Sequence, residues 1–317
     1  MRTPLRTLAA ALAACTLVLA ACGDDDGDTT GDPATTTTTT TVEATFPVTV
    51  EAANGEVTID ERPERIVSLS PTATEILFAI GAGDQVVAAD EFSNHPPEAP
   101  TTGLSGYEPN VEAIASYEPD LVVMQDAIVV DELAAIDVPL LVQLAATTLD
   151  DAYAQIAQLG AASGHPAEAA EVVDDMRTGI EEVLEGLPER EEPLTYYYEL
   201  DDTYYSLTSS DTFVGELLAL AGMESIGDGA DAGTAYPQLS AEYIVDADPD
   251  LILLADTKCC GQSAETVGAR PGWGELGAVR DGHVVALDDD IASRWGPRVV
   301  DLLRVVAEEV AALEGER

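Results

Sequence analysis

From residue 65 onward, short apolar runs alternate with stretches whose apolar positions recur at helical spacing. Arg65-Ile-Val-Ser-Leu69 reads as a buried strand, since a continuous apolar run suits a sheet covered on both faces. Ser70-Pro71-Thr72 then opens a helix, with a cap-forming hydroxyl, a Pro suited to the first turn and Glu75 three residues after Thr72. Glu75 to Ile80 carries the helix to Gly81-Ala-Gly83, and Gln85 to Ala89 is the next strand. Leu121 to Met124 and Leu140 to Gln143 extend the sheet. Alternating strand and helix predicts a mainly parallel sheet flanked by helices.

Two helical stretches follow, broken at Gly164-His165-Pro166. The second, Ala167 to Gly186, sets Val172, Val173, Met176, Ile180, Val183, Leu184 and Leu187 at steps of three and four. At 1.5 Å per residue it spans about 30 Å, enough to join two lobes. Leu187-Pro188 ends it, and alternation resumes with Leu194-Thr-Tyr-Tyr-Tyr198, whose tyrosines read as strand packing. Thr203 to Ser206 reads as a hairpin arm, Ser209-Ser210 as the cap of a helix from Phe213 to Ala221, Leu251 to Leu254 and His283 to Leu287 as strands, and Val299 to Leu313 as the closing helix.

The two alternating regions repeat one another. Asn110-Val-Glu112 leads through a short apolar helix to Pro119-Asp120-Leu121, and Ser240-Ala-Glu242 leads the same way to Pro249-Asp250-Leu251, 130 residues on. The expected architecture is α/β: an N-terminal lobe over residues 46–163, a backbone helix over 164–188, and a C-terminal lobe over 189–317. In such sheets ligands sit beyond the carboxyl ends of the strands, where helix N-termini present free N–H groups. The loops predicted to face a cleft are residues 70–74, 90–107, 203–211, 231–237, 256–273 and 288–298.

The first 45 residues follow a different rule. Arg2 and Arg6 precede an apolar stretch from Leu8 to Ala21, and Leu19-Ala20-Ala21-Cys22 is a small-residue cleavage site ending in Cys. This looks like a bacterial lipoprotein signal over residues 1–22, with Cys22 lipidated; Leu12 to Cys15 fits the same box but leaves too short an apolar stretch before the cut. The run is also shorter than a membrane span and is followed at once by Gly-Asp-Asp-Asp. Residues 23–45, with seven consecutive Thr from Thr35 to Thr41, have too little apolar surface to fold and read as a flexible tether. An outer-face location on the cell membrane follows.

Composition narrows the partners. At 46% hydrophobic, the 317-residue chain has the content of a globular protein. Its formal charge of −47 becomes −49 when Arg2 and Arg6 leave with the signal, which excludes nonspecific nucleic-acid binding. Lys258, the only Lys, falls with Arg270, Arg294 and Arg298 in the C-terminal quarter; this basic cluster points to an anionic ligand or to pairing with neighbouring carboxylates. With Cys15 removed and Cys22 lipidated, Cys259 and Cys260 can bridge only to each other within the chain. Neighbouring Cα atoms lie about 3.8 Å apart, below the usual disulfide range of roughly 4.4 to 6.8 Å, so two readings stand: a vicinal bridge or two free thiols.

Arg65 to Glu75, His95-Pro-Pro-Glu98, Pro109-Asn-Val-Glu112, Tyr236-Pro-Gln-Leu-Ser240 and Gly296-Pro-Arg298 together resemble the substrate-binding proteins of ABC importers for cobalamin, ferric siderophores and haem. The resemblance covers roughly residues 60 to 310. It implies two α/β lobes on a rigid backbone helix, of the kind called class III, with a monomer docking on a permease dimer. It also implies permease-docking roles for Glu112 and Glu242, one on each lobe, where a first-turn Glu otherwise only complements the helix dipole. Where cobalamin receptors carry a bulky ring before the first docking Glu, this chain has Gly106-Tyr107. The expected ligand is a ferric siderophore or corrinoid, with haem as an alternative on the same fold, met by Tyr107, Tyr204, Tyr205, Tyr236, Trp273, Arg294, Trp295 and Arg298.

Three other readings compete. A receptor for free zinc or manganese needs several convergent His or carboxylates, and the chain has only His95, His165 and His283. An enzyme finds no nucleophile elbow or phosphate loop, and Gly81-Ala-Gly83 follows a helix rather than a strand. A ligand sensor without transport shares the binding chemistry. No resident cofactor or metal is expected.

Overall fold

The computed structural model describes residues 44–315, apart from 136, 189, 204 and 231–233. The leader, Cys22, most of the tether and Tyr204 lie outside the described residues.

The N-terminal lobe begins with a hairpin, β1 (Val48–Ala52) and β2 (Gly55–Ile59), that is not among the elements the hydrophobic pattern predicts. Asn54-Gly55, a known turn pair, was its signal. Asn54 also ties the hairpin to the sheet, donating to Leu140 O at 2.8 Å and accepting from Val142 N at 3.1 Å. Strands β3 (Ile66–Leu69), β4 (Val86–Asp90), β5 (Thr101–Leu104), β6 (Leu121–Met124) and β7 (Leu140–Val142) form a parallel sheet in the order β5-β4-β3-β6-β7. Helices α1 (Pro71–Ala79), α2 (Val111–Ala115) and α3 (Val130–Ala134) connect them. Ser70, with Pro71 behind it, caps α1 by accepting from Ala73 N, so Glu75 is released from the capping role the sequence assigns it.

Helix α4 (Leu149–Ser163) turns at Gly164, whose φ of 86° only Gly adopts freely, into α5 (Pro166–Glu185), the predicted backbone helix. The C-terminal lobe holds β8 (Leu194–Asp201), β9 (Ser206–Leu207), α6 (Phe213–Leu220), β10 (Met223–Ser225), α7 (Ala241–Ala247), β11 (Leu251–Leu254), α8 (Thr257–Cys260), α9 (Ala264–Gly268), α10 (Gly277–Asp281), β12 (Val284–Ala286), α11 (Asp289–Ala292) and α12 (Val299–Gly315). Its sheet runs β10-β8-β11-β12 in parallel, with β9 antiparallel to β8. The cap of α6 is Thr212 rather than Ser209 or Ser210, because Ser210 is drawn to Asp228.

The lobes share a core. Ile66, Ile76 and Val123 of the first sheet side, Met176 and Ile180 of α5, Tyr196, Tyr198 and Leu253 of the second sheet, and Leu303 and Val306 of α12 belong to one buried apolar cluster. The backbone helix is therefore one wall of a continuous interior. At Gly179 of α5 a Cβ would lie 2.8 Å from Val300 Cγ1, so that Gly lets α5 and α12 approach closely.

Candidate functional site

In each sheet the strand order reverses once, between β3 and β6 and between β8 and β11, and the chain leaves those paired carboxyl ends in opposite directions. On the N-terminal lobe the reversal leaves a hollow lined by Leu69, Pro71, Asp90, Phe92, Gly106, Tyr107, Gln125 and Asp126. A Cβ on Gly106 would sit 2.6 Å from Leu69 O, so glycine is what allows this loop to lie against the end of β3. Tyr107 is 76% exposed and meets half-exposed Phe92 edge-on, with ring centroids 6.0 Å apart. Beneath them Asp90 accepts from Phe92 N and Ser93 N; burial nevertheless pushes its carboxyl above the usual range. The result is an open aromatic ledge over a fixed polar floor.

Beside that ledge the lobes are joined by charge. Glu75, buried on α1, accepts from Arg294 Nη1 at 2.6 Å and from Arg298 Nε at 2.9 Å and Nη2. Arg294 also donates to Asn94 Oδ1 at 3.0 Å, Phe92 O at 2.9 Å and Asp290 Oδ1 at 2.9 Å, and Asn94 donates to Asp290 at 3.1 Å. Burial opposes the Arg298 charge, but Glu75 and the nearby Asp288 and Asp290 raise its pKa overall.

At the C-terminal reversal point, fully buried Glu199 holds Arg270 in a bidentate pair, at 2.6 and 2.7 Å, and accepts from the Tyr197 hydroxyl at 2.9 Å. Arg270 lies over the Trp273 ring, 4.6 Å from its centroid, and Tyr205 packs on the same ring. Asp256, fully buried at the end of β11, finds no hydrogen-bond partner for either carboxylate oxygen. Burial first, then the Glu199 charge, pushes its pKa up to about 7. Just beyond it, the N–H groups of Thr257, Lys258 and Cys259 donate to Asp289, which fixes α8 against α11. Lys258 Nζ reaches Asp288 at 2.5 Å and Asp290 at 2.7 Å. Cys259 and Cys260, both exposed, are bonded to each other.

The structure divides the aromatic and basic residues picked out in the sequence. Tyr107 and Tyr236 are exposed, Tyr236 on a segment held beside β9 by Ser209 N to Ala235 O and Leu207 N to Pro237 O. Tyr205 is half-buried against Trp273. Trp273 is 0% exposed inside the C-terminal lobe, and Trp295 is buried in the shared core with Nε1 donating to Gln155 at 2.7 Å, so neither offers a ring face to a ligand. Arg294 and Arg298 are taken by Glu75 instead of standing free as anion donors. Phe92 and Glu75 form the site without having stood out in the sequence; Phe92 lies inside a predicted cleft loop, but the partners of Glu75 are more than 200 positions away in the chain. His165 is structural, bonded to Arg62 at 2.7 Å.

Glu112 and Glu242 are exposed in the first turns of α2 and α7, which occupy corresponding places before β6 and β11. Asn110 and Ser240 cap the two helices identically, accepting from Ala113 N and Tyr243 N. Among the described residues no helix is long and apolar enough to cross a membrane, and no cluster of three or more His, Cys, Asp or Glu is arranged to hold a metal ion.

The sequence model of the periplasmic binding proteins matches residues 66–291. An uncharacterised ABC transporter substrate-binding lipoprotein of Bacillus subtilis is 31% identical over 276 residues, 84% of this chain and 86% of that protein. A cobalamin-binding protein of Halobacterium salinarum is 30% identical over 269 residues, 81% of this chain and 72% of that one. Among solved structures, a periplasmic haem-binding protein of Roseiflexus sp. RS-1, in apo form, superposes with a TM-score of 0.68 at 25% identity, covering 79% of this chain and 99% of that one.

Proposed function

The chain belongs to the periplasmic binding protein family, and from that premise we propose that it is the substrate-binding lipoprotein of an ABC importer, carrying a metal chelate of the siderophore or corrinoid class. Cys22 bears the lipid anchor on the outer face of the cell membrane, and the Thr- and Asp-rich tether gives the lobes reach. The chelate lies between the lobes, on the Phe92 and Tyr107 ledge, with exposed Tyr236 and the Cys259–Cys260 bridge in the loops that the sequence assigns to the C-terminal lobe's side of the cleft. A relative named for cobalamin supports the corrinoid part of that class.

The observation that carries the reading is the matched pair Glu112 and Glu242: two exposed carboxylates in identically capped helices, one per lobe. Two anionic points on separate lobes orient a monomer on a two-fold permease, because charge pairing steers and fixes register. Charge reversal at both, Glu112→Arg and Glu242→Arg, is expected to abolish uptake by cells while ligand affinity of the purified protein stays within about threefold. A large loss of ligand affinity would move these residues from docking to binding.

A further inference from the structure

Lys258, Arg270, Arg294 and Arg298, four of the basic residues of the C-terminal quarter, are all neutralised. Lys258 sits between Asp288 and Asp290, Arg270 is held by Glu199, Arg294 by Glu75 and Asp290, and Arg298 by Glu75. Four cations meet four carboxylates. None of the four cations has charge to spare for a ligand, and Glu75 and Glu199 are too deeply buried to be left unpaired. Further out, Asp126 and Asp202 are exposed where strands β6 and β8 give way to their loops, with no described Lys or Arg in ion-pair range.

Building on the transport reading, we infer that the cleft accepts neutral or cationic metal chelates and excludes anionic ones. An anion entering here must pull a guanidinium or ammonium away from its carboxylate, and the stranded carboxylate then repels it. A neutral or cationic chelate meets no such demand. It finds the Phe92 and Tyr107 rings, whose faces favour flat apolar surface and positive charge. The overall charge of −47 acts in the same direction, but at physiological salt its reach falls off over a Debye length of about 8 Å, so the local pairing decides.

The test is calorimetric titration of the full chain with four probes. Cyanocobalamin carries no net charge, ferrioxamine is a cationic hydroxamate complex, and haemin and a ferric tris-catecholate are anionic. The expected result is that cyanocobalamin or ferrioxamine binds at least roughly 100-fold more tightly than either anionic probe. Asp288→Asn with Asp290→Asn keeps the cap of α11 while freeing Lys258 and one arm of Arg294. That pair should raise anionic-probe affinity about tenfold relative to the neutral probe. Tight binding of haemin or the catecholate by the unaltered protein would overturn the charge rule and leave the transport reading standing, and so would no gain in the double variant. A folded protein, judged by circular dichroism, that binds none of the four would bring down the transport reading and this inference together.

Discussion

Glu75 sets the character of the site at the scale of single residues. Its sequence position reads as a helix start, yet in the fold it is the shared acceptor of Arg294 and Arg298. Removing one arm strands charge in a nearly dry setting. Arg298→Ala is expected to destabilise the protein by roughly 2 to 4 kcal/mol in urea melts, below the top of the buried-pair range because Arg298 keeps 20% side-chain exposure. Asp256 acts in the opposite sense. Its folded pKa is raised, so between about pH 4 and pH 7 the folded chain keeps a proton that the unfolded chain releases, and stability falls as pH rises through that window. Asp256→Asn, which mimics the protonated acid, should match the parent near pH 4 and exceed it by about 1 to 3 kcal/mol at pH 8 in the same melts. The basic cluster was legible in the sequence; its buried partners were not, because Glu75 of α1 and Glu199 of β8 lie 219 and 71 positions from the arginines they hold.

At the scale of elements, continuous apolar runs were the most legible signal. Leu121 to Met124 and Leu251 to Leu254 are strands with the boundaries the sequence gives, and the backbone helix shifts by one residue at each end. Caps were less legible, because several hydroxyls stand near each helix start and tertiary partners choose among them: Asp228 claims Ser210 and leaves α6 to Thr212. Helix periodicity placed α5 correctly but gave no hint that α12 lies along it. Gly179 is where that contact is closest. Gly179→Val is expected to cost about 1 to 3 kcal/mol in denaturant melts, since the added methyls meet Val300 and outweigh the gain in helix propensity.

For the whole molecule, the repeat of Asn110-Val-Glu112 in Ser240-Ala-Glu242 announced two lobes, and the parallel sheets with matching reversal points bear that out. Their fusion through one apolar core was not legible, since helix amphipathicity does not say which neighbour covers a face. A shared core and a Glu75–arginine junction leave little room for hinge closure, so the transport reading proposed above requires a preformed cleft. On that reading the cleft takes up an intact metal chelate rather than a bare ion. The distinction is read by equilibrium titration of the folded chain with a corrinoid and a ferric hydroxamate, set beside free zinc and manganese. The expected result is saturable one-to-one binding of a chelate at micromolar or tighter affinity, lost when Phe92 and Tyr107 are both changed to Ala, and no saturable uptake of either free ion. Saturable binding of free zinc or manganese with no response to any chelate would contradict it.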